Sequence, residues 1–134
     1  MVNKMSREII LHAGLHKTGT TSIQQTLYDD FNNRILEKLD ILYPKNWPAN
    51  HSYPVYSAFC DKPEEYRGNI LFSSGLSKEK IDEMNKTNLK NLEEEVQRRR
   101  CSKIVISGED ISFLKKENLN IKLPQQILHI RTFV

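Results

Sequence analysis

The sequence predicts an α/β fold, one domain spanning residues 1–134 with a mostly parallel sheet of four or five strands. Three observations predict it. Short β-branched apolar runs recur along the chain, and helix-periodic stretches alternate with them. A length of 134 residues suffices for one hydrophobic core but not for two.

The elements follow in order. Glu8 to His12, "EIILH", is an apolar run that ends at Ala13-Gly14, the pattern of a buried strand. From Thr21 to about Phe31 the spacing predicts a helix whose apolar face carries Ile23, Leu27 and Phe31. Ile35, Leu36 and Leu39 lead to "DILYP", a second short strand closed by Pro44. The stretch from Pro44 to Asn69 holds four of the five prolines. It is expected to be a long, irregular and partly helical excursion that lines a substrate pocket around Lys45 to Gly68.

"ILFSSG" predicts a brief strand, and Ser77 then caps a long helix over Lys78 to Arg100. That helix groups Ile81, Met84, Leu89, Leu92 and Val96 near one face, and its Arg98, Arg99 and Arg100 read as a solvated cationic terminus that suits the helix dipole. "KIVIS", Lys103 to Ser107, has the continuous apolar character of an interior parallel strand. "EDISFLKKENL" predicts a short helix and "QQILHIRTF" a final strand. Strands that alternate with helices in this way imply right-handed crossovers.

Composition narrows the function classes. A net charge of +3 suits an anionic ligand and falls short of the concentrated positive charge of a nucleic-acid binder. The apolar runs are too short to span a membrane, and no apolar signal segment follows the N-terminal lysines. Cys60 and Cys101 lack metal-ligand spacing and read as unpaired thiols, so the expected location is cytoplasmic. No metal site is expected.

The chemistry concentrates in "ILHAGLHKTGTTSIQQTL", Ile10 to Leu27. Gly14 and Gly19 have the separation of a P-loop, but Thr20 occupies the place of the nucleotide-binding lysine, and the lysine, Lys17, precedes the second glycine. A turn from strand into helix exposes backbone N–H groups at the positive end of the helix dipole. Thr18, Thr20, Thr21 and Ser22 add hydroxyls there, and His16 and Lys17 add further donors. The set is dense enough to hold a phosphate-like anion.

"GLHKTGTTSIQQTL" resembles the phosphosulfate-binding loop of sulfotransferases, and its Leu-His before the lysine is similar to a bacterial-type group of that family. In that family the lysine belongs before the glycine. The resemblance implies a P-loop-like three-layer sandwich, PAPS (3′-phosphoadenosine 5′-phosphosulfate) as donor, a hydroxyl or amine on a small molecule or glycan as acceptor, and no metal. It assigns Lys17 to the departing phosphate oxygen, and residues from Thr18 through Gly19, Thr20 and Thr21 to Ser22 to the 5′-phosphate. "IVISGEDIS" resembles the family's strand ending in serine and glutamate, with Gly108 in place of the second small residue. Arg131 in "ILHIRTF" is similar to the arginine that follows a strand and pairs with the 3′-phosphate. The family's partner serine and later strands have no counterpart before Val134, so this chain is expected to be the N-terminal portion of a larger domain, its sheet edge open to a second copy.

Transfer to an alcohol or amine also needs a base. His51 and Glu109 are the leading candidates, with Asp110, His12 and His16 behind them. Two other function classes remain open: a P-loop kinase or NTPase, with Glu109 or Asp110 on Mg²⁺, and a non-catalytic nucleotide-binding remnant.

Overall fold

The computed structural model describes residues 7–14, 19–72, 77–115, 118 and 127–133. Its sheet has the order β2-β3-β1-β4 and every pairing in it is parallel. β1 (Arg7–His12) lies between β3 (Lys103–Ser107) and β4 (Ile127–Phe133), and β2 (Ile41–Leu42) borders β3. Glu8 is in register with Lys103 and His12 with Ser107. The expectation of an α/β domain with a parallel sheet is met.

Alternation along the strands sets the core. Ile9 and Leu11 on β1 and Ile104 and Ile106 on β3 are buried on one face, while Ile10 and Val105 between them are half-buried. Against the buried set pack Val55 and Phe59 of α3 (Ser52–Phe59) and Leu92 and Val96 of α5 (Lys78–Arg99), with Trp47 and Ile111 completing the cluster. α5 starts as expected: Ser77 Oγ accepts the Lys80 N–H at 3.3 Å. It stops at Arg100, which turns left-handed with φ 55°.

Three expectations about the secondary-structure elements are corrected. The helix over Thr21–Phe31 is two helices, α1 (Thr20–Tyr28) and α2 (Asp30–Lys38). Asp29 breaks it, because its carboxylate accepts the N–H groups of Phe31 at 3.1 Å and Asn32 at 3.2 Å and so caps a new helix. The face expected to be buried is also wrong. Ile23 and Phe31 are exposed, and α1 buries Thr20 and Gln24 instead. Finally, "ILF" belongs to α4 (Arg67–Phe72), a short helix and not a strand, while residues 73–76 lie outside the described ones.

A polar clamp holds the sheet's β2 side to α5. The fully buried Glu95 carboxylate accepts the backbone N–H of Lys45 and of Asn46, each near 2.9 Å, and pairs with Arg99 at 2.8 Å. Arg99 also donates to Asn33 Oδ1 at 2.6 Å on α2. The solvated-terminus expectation therefore holds for Arg98 and Arg100, which are exposed, and fails for Arg99.

Candidate functional site

The β1–α1 connection leads toward β2 and the β3–β4 connection passes β1 in the opposite direction. By the rule of right-handed crossovers such connections go to opposite faces of the sheet, and the crevice that α/β folds use for ligands is then expected at the carboxyl ends of β1 and β3. Residues 13–14 and Gly108 leave the sheet there.

On the α1 side, Gly19 adopts φ 80°, ψ 12° and forms the N-cap position, and nothing lies within 4 Å of where its Cβ would be. A left-handed residue at this point is favourable for glycine and costly for residues with a side chain. Thr20 is buried below it, and Thr21 and Ser22 are exposed in the first turn, whose N–H groups point beyond the helix end. Gly14 is close-packed: a Cβ there would sit 2.6 Å from Thr20 Oγ1. His16, Lys17 and Thr18 lie outside the described residues.

Ser107 ends β3 and organises the floor of the crevice. Its buried hydroxyl is 2.8 Å from His12 Nδ1 and accepts from Gln24 Nε2 at 3.2 Å, tying β1, β3 and α1 together. Gln24 lies one turn beyond Thr20, on the same buried face. Its role was legible only as a polar residue at i+4 from the loop threonine, and the more conspicuous Ile23–Leu27–Phe31 stripe concealed it.

His51 is held inside the fold by backbone on both sides of its ring. It is fully buried, and its Nδ1 accepts the Ser107 N–H at 3.1 Å, which requires that nitrogen to be unprotonated. Nε2 then carries the proton and donates it to Pro44 O at 3.2 Å. The Tyr43 and Trp47 rings stand 4.5 Å and 5.6 Å away, and burial pushes the imidazole down to about 4. With both nitrogens bonded to backbone and no exposed surface, His51 joins the proline-rich segment to β3. The structure thus places His51, one of the two leading candidate bases, in the core.

Gly108 follows Ser107 and donates its N–H to His12 O at 3.0 Å. A Cβ on it would lie 2.5 Å from Ser52 N, so the start of α3 can reach the strand end only because this residue is glycine. Glu109 comes next, half-buried at the head of a 3₁₀ turn, Glu109–Phe113. Asp110 donates its N–H to Ser52 Oγ at 3.2 Å and accepts the Tyr66 hydroxyl at 2.7 Å. Of the candidate bases, Glu109 and Asp110 thus stand at the crevice rim and His12 in its floor. Arg131 lies within β4, in register with Ile10, and does not follow the strand as expected.

No metal-ligating group of three or more His, Cys, Asp or Glu residues occurs among the described residues. No helix among them is long and apolar enough to cross a membrane. Comparison with family models, with curated proteins and with solved structures finds no match to this chain.

Proposed function

We propose that this chain is a PAPS-dependent sulfotransferase domain that transfers a sulfuryl group to a hydroxyl or amine. The observation that carries the reading is the junction at the carboxyl end of β1: a glycine with φ 80° opening α1, beside the parallel strand β3. Combined with "GLHKTGTTS", it supports an anion held by backbone N–H groups and the exposed Thr21 and Ser22.

Bound there, PAPS supplies an activated sulfuryl group whose S–O bond to the 5′-phosphate breaks as the acceptor oxygen or nitrogen attacks. The negative charge that grows on the departing phosphate oxygen calls for a cation, and Lys17 has that role in this reading. A sulfuryl group carries less charge than a terminal phosphate, which makes a metal clamp less needed. The acceptor's proton goes to a base, for which Glu109 is the leading residue, with Asp110 and His12 behind it. Arg131 on β4 is the candidate for the 3′-phosphate. The P-loop-like three-layer architecture, the open sheet edge and a cytoplasmic location belong to the same proposal.

Titration calorimetry with PAP (3′-phosphoadenosine 5′-phosphate) tests it against ATP·Mg²⁺. Preference for PAP is expected, and preference for ATP·Mg²⁺ assigns the chain to the kinase or NTPase class. Lys17→Ala should remove most transfer activity while PAP still binds, and an unchanged rate refutes the lysine's role. Binding of PAP with no turnover on any acceptor makes the chain a non-catalytic relative.

A further inference from the structure

Beside the crevice rim, a cleft of about 500 Å³ opens between α3, the 3₁₀ turn Pro63–Glu65 and the turn Glu109–Phe113. That volume lies in the range of small-molecule sites. One wall is aromatic. The Tyr56 and Tyr66 rings have centroids 4.5 Å apart and are inclined by 41°, so they pack on each other and stand as one rigid aromatic pair in the wall. Phe113 lines the same cleft and is 66% exposed. A large ring left in water at the mouth of a cleft lined by two more rings is the arrangement expected where a ligand with an apolar face is to be covered.

The polar lining is specific in a second way. Asp110 is fixed against the aromatic wall by the Tyr66 hydroxyl, and a carboxylate has acceptor capacity for several donors at once. The remaining charges balance. Lys62 pairs with Glu65 at 3.5 Å and Lys115 with Asp61 at 2.7 Å, and Arg67 offsets Asp110 in the lining. A cleft without net charge favours neither a strong anion nor a strong cation. The ligand chemistry that matches an apolar face, several hydroxyl donors and no charge is a sugar ring, whose C–H face stacks on aromatics.

We propose that this cleft binds a neutral pyranose ring, stacked on the exposed Phe113 beside the Tyr56–Tyr66 pair, with its hydroxyls donating to Asp110. In the sulfotransferase reading the sugar is the acceptor, delivered to the crevice by the two-residue step from Gly108 to Asp110. The inference rests on that reading only for the word acceptor. Binding itself is independent of the nucleotide.

The experiment is an amide NMR titration of the nucleotide-free chain with the methyl glycosides of glucose, galactose, mannose and N-acetylglucosamine, and with p-cresol for comparison. At least one glycoside should give saturable shifts around Tyr56, Tyr66 and Asp110. Phe113→Ala and Asp110→Asn should each weaken it about tenfold. Phe113 is exposed, so its removal should leave the melting temperature unchanged, and Lys17→Ala should leave sugar binding unchanged. Absence of saturable binding by all four sugars, tighter binding of p-cresol, or affinity indifferent to Phe113→Ala each overturn the proposal. Failure of PAP to bind in the calorimetric test refutes the donor reading and leaves this site standing.

Discussion

A methyl group added at Gly108 would meet the backbone nitrogen of Ser52 at 2.5 Å and its Cα at 2.8 Å, and backbone cannot swing aside as a side chain can. Gly108→Ala should therefore cost about 1–3 kcal/mol by pushing α3 off the end of β3. Urea unfolding measures it, and a loss below about 0.5 kcal/mol means that the helix start tolerates displacement. His51 makes a second prediction at this scale. Burial holds its pKa near 4 in the folded chain, whereas the unfolded chain takes up the proton near its ordinary value of 6.5. The stability contributed by the neutral imidazole is thus complete above pH 6.5. It declines as the pH falls and levels off below about 4, a change of about 3 kcal/mol at most. His51→Gln should be less stable at neutral pH, yet lose less on acidification than the parent. Other carboxylates titrate in both proteins and cancel in the comparison, so parallel acid losses would show that His51 does not titrate in this way.

Among elements, the join between α5 and the segment after β2 depends on Glu95. Glu95→Ala leaves the N–H groups of Lys45 and Asn46 without their acceptor and Arg99 without its nearest carboxylate. That should cost about 3–5 kcal/mol. Combining it with Arg99→Ala should cost clearly less than the sum of the two, because each change already breaks the shared pair, and strict additivity would contradict the clamp. α1 gives the opposite lesson. Ile23→Ser on its exposed side should stay within about 0.5 kcal/mol of the parent, while Gln24→Ala, which removes a buried donor to Ser107, should cost about 1–2 kcal/mol. Strands β1 and β3 and helix α5 were legible because alternation, β-branching and a serine cap are local signals. The break at Asp29 and the buried face of α1 were not, because each follows from what lies opposite. An aspartate inside a helical pattern caps a new helix once the chain turns. A glutamine is buried when a serine hydroxyl 83 residues away accepts its N–H. "ILF" misled for a related reason: a three-residue apolar run carries no period and fits a short helix as well as a strand.

For the molecule as a whole, strand order decides where a ligand can act. β1 has a neighbour on each side, β3 and β4, and its carboxyl end lies where the strand order reverses, the place at which α/β sheets take their ligands. The sequence showed a strand before the glycine-containing loop and a helix after it, and β1 and α1 stand at those places. It could not show that His51 would be sealed beneath the proline-rich segment, since burial arises only when Tyr43 and Trp47 fold over the ring. A central β1 also has a consequence for dynamics. Its amides and those of β3 exchange only when the sheet opens, so Ile9, Leu11, Ile104 and Ile106 should be the slowest to exchange hydrogen, and the two-residue β2 should exchange faster. PAP added at about 100 times its dissociation constant should raise global stability by about 2.7 kcal/mol, slowing the β1 and β3 amides further. Direct contact should add local protection at Gly19 to Ser22, where the first-turn N–H groups project. ATP·Mg²⁺ should give neither effect. If PAP instead protects amides around Tyr56 and Tyr66 and leaves the start of α1 unchanged, the nucleotide occupies the aromatic cleft, and both the donor site at α1 and the sugar site beside it must be abandoned.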